Sequence, residues 1–346
     1  MTVTNSTQYF SLGAYFDTGV FKPLYFLIIL TLFICIIVAN VLLIVVICVN
    51  RSLHEPMYLF LCSLFVNELC GSTGLFPFLL VQILSDIHTV SAPLCFLQMF
   101  SLFTYANVQI SNLAVMSYDR YLAICHPLHY NTRMTSKKVI LLIALSWSIP
   151  CIAILILICL TASLQLCGNI INKVYCDNFS IVKLACSDTT VNNVYGLIVT
   201  FLLIISPVFI IFYTYMRILR VCFSGSKQTR QKSFSTCTPH LASLLNVSCS
   251  CCFEVIQNRF DMEFVPNMLR IFLSLYWLTG QPLLNPVLYG LNMTKIRIIC
   301  KRLCLVKSNL VLNECNVNLA VDEYDVNFQC KWPAADRTSP HDCYPP

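Results

Sequence analysis

Long apolar stretches recur along this chain, separated by short polar segments that hold most of its Lys and Arg. They fall at about Leu24–Val49, Met57–Leu84, Cys95–Tyr121, Val139–Ala162, Val194–Val221, Pro239–Gln257 and Asn267–Leu291. A hydrocarbon layer about 30 Å thick asks for about 20 mostly apolar residues per helical crossing. Each stretch therefore predicts a membrane-spanning helix, and together they predict an all-α membrane protein built as a seven-transmembrane helix bundle. The sixth is the least apolar, carrying His240, Asn246 and Glu254, but its length and flanking charges still ask for a crossing. Met1–Val20 is polar and broken up and has no basic start, unlike a signal peptide, so the first apolar run is expected to stay in the mature protein.

Lys and Arg collect on the cytoplasmic side of membrane proteins. Placing the N-terminus outside puts Arg51, Arg120, Arg133, Lys137, Lys138, Arg217, Arg220, Lys227, Arg230, Lys232, Lys295, Arg297, Lys301, Arg302 and Lys307 inside. Only Lys22, Lys173, Lys183, Arg259 and Arg270 are then outside. An odd number of crossings leaves the C-terminus inside. The expected organisation is an extracellular segment over 1–23, the helical domain with a short membrane-surface helix over 24–305, and a cytoplasmic tail over 306–346. Asn5-Ser6-Thr7 is a glycosylation sequon on the outer end, in agreement with this orientation. Asn178-Phe179-Ser180 is a second outer sequon, crowded by neighbouring cysteines, while those at Asn246 and Asn292 fall in the membrane or inside and are expected to stay unmodified.

Composition agrees: 57% of residues are apolar and 11% charged, against roughly a quarter charged in soluble domains. The net charge of +6 is spread along the chain in a topological pattern, so no nucleic-acid partner is expected. Most of the 21 cysteines lie in apolar segments, where a thiol acts as a small hydrophobe. Four lie outside: Cys95 at the start of the third helix, and Cys167, Cys176 and Cys186 in the long loop after the fourth. They suggest two disulfides with three connectivities open, and a bridge from Cys95 would pin that loop over the mouth of the bundle. The tail after Lys295–Leu305 is acid-rich, ends in prolines and reads as disordered, either a regulatory extension or the product of a misassigned final exon. Cys300 and Cys304, beside basic residues, are candidate palmitoylation sites.

Met116-Ser117-Tyr118-Asp119-Arg120-Tyr121-Leu122-Ala123-Ile124-Cys125-His126-Pro127-Leu128 stands at the inner end of the third helix. Leu53-His54-Glu55-Pro56-Met57-Tyr58 follows the first helix, Lys232-Ser233-Phe234-Ser235-Thr236-Cys237-Thr238-Pro239-His240 opens the sixth, and Pro282-Leu283-Leu284-Asn285-Pro286-Val287-Leu288-Tyr289-Gly290 lies in the seventh. Together these resemble the signatures of odorant receptors, a family of rhodopsin-like G-protein-coupled receptors, over about Tyr25 to Arg297. The second and sixth segments most resemble odorant receptors of fish. The resemblance implies a plasma-membrane protein of olfactory cilia that binds a small odorant and activates a stimulatory G protein to raise cyclic AMP. It implies no enzyme activity and no cofactor, and the pairing Cys95–Cys176 with Cys167–Cys186.

Within that frame, Arg120 has the properties of an inner lock, pairing with Asp119 in one state and turning to other partners in another, with Tyr121 completing the triplet. Tyr215 and Tyr289 resemble the tyrosines that approach this arginine in active receptors, and Asn285-Pro286 frees helical carbonyls and can hinge. His240 either braces Arg120, titrates, or makes a simple helix-end contact. Glu68, where the family more often has Asp, is expected to form an interior polar cluster with Asn40, Gln109 and Asn285. Two states are open to it, a sodium site and a protonated, hydrogen-bonded carboxyl. The ligand site is expected in the outer half of the bundle, between Phe103, Ala106, Asn107 and Ile110 on one face of the third helix, Thr200 on the fifth, Cys251, Cys252 and Val255 on the sixth and Tyr276 on the seventh. Asn107 is the favoured polar anchor. No carboxylate precedes Asp119 on the third helix to hold an amine, and no lysine lies between Arg270 and Lys295 to hold a retinal. The sixth helix has Ser248–Phe253 in place of the tryptophan-and-proline switch of rhodopsin-like receptors. A transporter or channel is the rival class, but the halves of the chain show no repeat. The histidines are too scattered for a membrane enzyme.

Overall fold

The computed structural model describes residues 8–15, 19–224, 238, 241–250, 253, 267–293 and 295–299. Its helices are α1 (Lys22–Val49), α2 (Pro56–Leu84), α3 (Ala92–Cys125), α4 (Ser136–Ala162), α5 (Thr190–Thr200 continuing through a π turn at Phe201–Ile205 into Ser206–Ser224), α6 (Leu241–Ser250) and α7 (Asn267–Asn292). α1, α2 and α3 each open with a proline in the first two positions, where its missing N–H breaks no helical bond and its fixed φ suits the helix. Apart from α6, described only as far as Ser250, the helices begin and end within a few residues of the apolar runs. α3 overshoots at both ends, by residues 92–94 and 122–125.

Among the described residues, four helices are long and apolar enough to cross a membrane: α1, α2, α4 and Thr190–Val221 of α5. In α1, α4 and α5 only 28, 22 and 17% of the most apolar window is buried against protein, so their Leu, Ile, Val and Phe side chains mostly face outward, as lipid contact requires. α3 has the opposite character. It packs against α2, α4 and α5 and buries Gln98, Thr104, Asn107, Gln109, Asn112, Ser117 and Asp119. A helix walled in by other helices does not need an apolar surface, which is why hydropathy alone does not single it out.

Between helices in lipid there is little hydrophobic drive. Close packing by small residues and interhelical hydrogen bonds take its place. A Cβ on Gly71 of α2 would come within 2.4 Å of the Tyr105 ring of α3, and one on Gly74 within 2.8 Å of Ser101. The two glycines therefore let these helices approach. About two turns from Gly71, Trp147 of α4 donates to Ser63 of α2 (2.9 Å), which donates to Asn112 of α3 (3.0 Å), so three helices are tied at one buried point.

The structure departs from an all-helical reading at one end, here called the sheet end. β1 (Tyr9–Leu12) lies between β2 (Thr89–Ser91), antiparallel, and β3 (Ile170–Ile171), parallel. Phe10 and Leu12 are fully buried and pack with Val90, Met99, Ile171 and Ile181 around Cys95 and Cys176. The segment expected as a simple extracellular stretch is thus, over these residues, a strand built into the protein. Two alternating apolar residues are too few to signal it. The tail over 306–346 and the sites expected at Asn5, His240, Cys251, Cys252, Val255, Cys300 and Cys304 lie outside the described residues.

Candidate functional site

α3 is the axis on which the site is built, and three levels along it carry polar side chains. At the sheet end, disulfides join Cys95 to Cys176 and Cys167 to Cys186, with Cα atoms 5.5 and 5.7 Å apart. Gln98 of α3 accepts from the backbone N–H of Cys176 (3.0 Å), so the loop between α4 and α5 is held to α3 both covalently and by hydrogen bonding. That places Val174 and Tyr175 in one apolar cluster with Leu75, Leu102, Tyr105 and Leu278, packed against Ala106 and Leu275. Tyr15 closes the level from the N-terminal side: it stacks on His88 at 4.6 Å and donates to the Val174 carbonyl. The same loop holds Asn178 inward. Its amide oxygen accepts from fully buried Thr161 of α4, and its amide nitrogen faces Asn192 of α5 (3.4 Å).

Phe103, Ala106, Asn107 and Ile110 lie on one side of α3, but the described neighbours of Phe103, Ala106 and Ile110 differ. Phe103 packs with Ile154, Leu157, Val199 and Leu203 of α4 and α5. Ala106 packs toward Tyr175 and Leu278, and Ile110 toward Ile211, Tyr215 and Val247 of α5 and α6. At about 100° per residue these positions spread over an arc of about 100°, and a central helix meets a different partner across each part of it. Asn107 is buried; its Nδ2 donates to the Phe103 carbonyl (2.7 Å), and its Oδ1 has no partner among the described residues. Thr200 stands at the entry to the π turn of α5 and its hydroxyl bonds back to the Gly196 carbonyl (2.8 Å). Tyr276 of α7 donates to Asn246 of α6 (2.6 Å).

The middle level is a buried hydrogen-bond network. Glu68, with no exposed surface, accepts from Asn285 of α7 and Gln109 of α3. Gln109 also accepts from Asn67 (3.2 Å) and donates to Gln281 (3.4 Å), and Gln281 accepts from Asn285 (3.0 Å) and from Ser243 of α6 (3.2 Å). Glu68, Gln109 and Asn285 are therefore brought together. Asn40 is not bonded to them: its amide donates to the carbonyls of Ile36 and Pro282 (3.0 Å), using one of the backbone oxygens near the α7 prolines to hold α1 against α7. Sequence reading missed Asn67, Gln281 and Ser243. Gln281 sits one turn before Asn285 and Asn67 beside Glu68, so helical spacing was a usable signal for the first. Glu68 Oε2, Asn67 Oδ1, Asn285 Oδ1 and Ser72 Oγ have no hydrogen-bond partner among the described residues.

At the opposite end Arg120 pairs with Asp119 through Nε (3.0 Å) and a second guanidinium nitrogen. Asp119 is fully buried, and its other oxygen accepts from Tyr130 (2.7 Å), a residue in the segment between α3 and α4. Burial and the neighbouring Asp119 carboxylate raise the Tyr130 pKa well above that of a free phenol, so this hydroxyl stays a donor at any physiological pH. Tyr121 bonds His126 (3.1 Å), and Lys295, after α7, pairs with Glu55 (2.7 Å), which raises the lysine's pKa. Tyr215 and Tyr289 are buried on α5 and α7. Tyr289 meets the edge of Phe65 and hydrogen-bonds Ser243. Pro286 is buried in α7, one residue after Asn285. Tyr130 was the functional candidate that sequence reading missed at this level, since nothing in the spacing from Asp119 marks it.

The chain matches a family model described as "Olfactory receptor" over residues 29–307. It is 34% identical over 312 residues to human "Olfactory receptor 10R2", covering 90% of this chain and 92% of that one. It is 32% identical over 288 residues to mouse "Olfactory receptor 1M1", covering 81% and 90%, and 32% identical over 294 residues to mouse "Olfactory receptor 4B13", covering 85% and 94%. The matched span runs through all three polar levels. The chain belongs to the olfactory receptor family: a multi-pass membrane receptor, not an enzyme, that senses odorants and couples to G proteins.

Proposed function

We propose that the chain crosses the plasma membrane of olfactory cilia seven times, with its sheet end outside and its Arg120 end inside. A small odorant binds in the outer half of the bundle against Phe103, Ala106, Asn107 and Ile110 of α3, Thr200 of α5, Tyr276 of α7, and Cys251, Cys252 and Val255 beyond the described part of α6. Binding shifts the bundle toward a second packing in which the inner end of α6 swings outward. Arg120 leaves Asp119, Tyr215 and Tyr289 close on it, Pro286 serves as the hinge, and a stimulatory G protein docks and raises cyclic AMP. The observation that supports this reading best is the buried network through Gln109, Glu68, Asn285, Gln281 and Ser243. It joins α2, α3, α6 and α7 beside the proposed ligand site, at Gln109, about three turns of α3 from Arg120, so a change at the ligand site has a physical connection toward Arg120. Arg120→Ala is expected to abolish odorant-driven cyclic AMP while surface expression persists. Full signalling by that variant would overturn the mechanism.

Glu68 needs its charge compensated, because an isolated carboxylate in a low-dielectric interior is costly and no cation pairs with it among the described residues. Its unpartnered Oε2, with the oxygens of Ser72, Asn67 and Asn285, forms a donor set of the hard-oxygen kind that suits a sodium ion. In this reading sodium steadies the resting packing. Adding sodium in place of a bulky organic cation is expected to raise the melting temperature of the purified receptor, and Glu68→Gln to remove that rise. Equal melting in both salts would assign Glu68 as a protonated hydrogen-bonding group instead.

A further inference from the structure

The middle network fixes a level from which depth can be measured. Ser243 of α6, Gln281 of α7 and Gln109 of α3 are joined side by side, so they share that level. Asn107 lies two residues from Gln109 toward the sheet end, about 3 Å along α3. Asn246 lies three residues from Ser243 and pairs with Tyr276, five residues before Gln281, so it too is on the sheet side, about 4.5 Å along α6. The two amides thus stand at nearly the same depth. α3 and α6 also contribute to one packed cluster beside them, to which Ile110 and Val247 both belong.

Each amide is half used. Asn107 spends its Nδ2 on the Phe103 carbonyl, a group that can only accept, and this leaves Oδ1 as a buried acceptor. Asn246 receives the Tyr276 proton on Oδ1, and its buried Nδ2 is left as a donor. Neither remaining atom has a partner among the described residues, and a buried polar atom left unpaired costs the full price of its desolvation. We infer that Asn107 and Asn246 form a paired acceptor and donor that reads a hydroxyl group, and that the receptor's odorants are small apolar alcohols. A hydroxyl is the smallest group that donates once and accepts at the same oxygen. Its proton goes to Asn107 Oδ1 and its lone pair accepts from Asn246 Nδ2, while Tyr276 keeps the Asn246 amide turned the right way. Gly280 leaves room for that: the Tyr276 ring lies over it, 3.2 Å from where a Cβ would stand. The inference deepens, and rests on, the odorant-receptor reading above.

The test is direct binding to the purified full-length receptor, read as thermal stabilisation. The ligands are small alcohols, each matched with the methyl ether and the hydrocarbon of equal heavy-atom count; n-octanol, heptyl methyl ether and n-nonane form one such set. An ether accepts but cannot donate, so in the wild type the alcohol is expected to bind about tenfold tighter than its ether, and the ether about tenfold tighter than its hydrocarbon. Asn107→Leu brings the alcohol down to the level of its ether. Asn246→Leu brings the ether down to the hydrocarbon, and Tyr276→Phe weakens alcohol and ether together. Unliganded melting checks each variant's fold, with Asn107→Ser and Asn246→Ser as smaller replacements. Alcohols no better than ethers in the wild type, no binding by any set, or an alcohol advantage that survives Asn107→Leu would each overturn the inference. Binding that follows the expected pattern without cyclic AMP in cells would leave the inference standing and sink the signalling reading. Signalling by other odorants with no alcohol preference would do the reverse.

Discussion

Asp119 carries the most constrained charge at the Arg120 end, buried completely yet bonded on both oxygens, one to Arg120 and one to Tyr130. Losing either donor leaves part of a buried charge unpaired, and hydrogen bonds to charged groups are worth about 1.5–3 kcal/mol. Tyr130→Phe therefore weakens the resting pair without touching Arg120. It is expected to raise ligand-independent cyclic AMP severalfold, measured at matched surface expression; an unchanged baseline would reduce Tyr130 to a packing residue. A single amide decides a second matter. Asn178 forms an outer sequon, but its side chain is bonded to Thr161 and Asn192, which are buried, and a glycan on Nδ2 would have to break that contact. Deglycosylation should therefore shift the mass of the wild type and of Asn178→Gln alike, and leave Asn5→Gln unmoved. Which residues could be read from sequence follows from the same physics. Glu68, Gln109 and Asn285 stood out because polar groups in apolar runs are expensive and need one another. Tyr130 did not, and Asn178 stood out only as a sequon and not for its inward bonds, because polar residues in loops are ordinary until the fold turns them inward.

Elements were legible to the extent that they face lipid. α1, α4 and α5 announce themselves by unbroken apolar stretches, and their observed bounds fall close to those expected. α3 and α7 showed as apolar stretches too, but with buried polar residues that hydropathy does not explain, and only the sixth needed length and flanking charge to be placed. β1 was not found, because a strand whose partners come from two distant loops leaves no local period beyond Phe10 and Leu12. How closely helices approach one another was not legible, and the glycines of α2 are the instructive case. Gly71 has the Tyr105 ring where its Cβ would be, whereas a Cβ on Gly196 of α5 meets only Leu157 at 3.9 Å. Gly71→Ala must push α2 off α3 or turn the Tyr105 ring, a kind of overpacking that costs about 1–3 kcal/mol. Gly196→Ala fills open space. The first is expected to lower the melting temperature of the purified receptor by several degrees and the second to leave it in place. Equal melting of the two would mean that α2 and α3 are held apart in the membrane.

At the scale of the whole molecule, the side on which each end lies is a separate question from how the helices pack, because a bundle inverted in the bilayer would keep every internal contact. What breaks the symmetry is charge. The Arg120 end gathers Arg51, Arg133, Lys137, Lys138, Arg217 and Arg220 near the helix ends, while the sheet end keeps Lys22 paired with Asp86 and Lys173 near Asp177. Basic residues close to helix ends resist translocation, which favours the proposed orientation with the Arg120 end inside. The disulfides at the sheet end agree, since that end must mature in an oxidising compartment. With both arguments pointing the same way, an epitope placed before Gln8 should be stained on intact cells, and one placed after residue 346 only once the cells are made permeable. If both epitopes were reached without permeabilisation, the number of crossings would be even, and neither the odorant entering beside the sheet nor the G protein meeting Arg120 would be on the side that the mechanism requires.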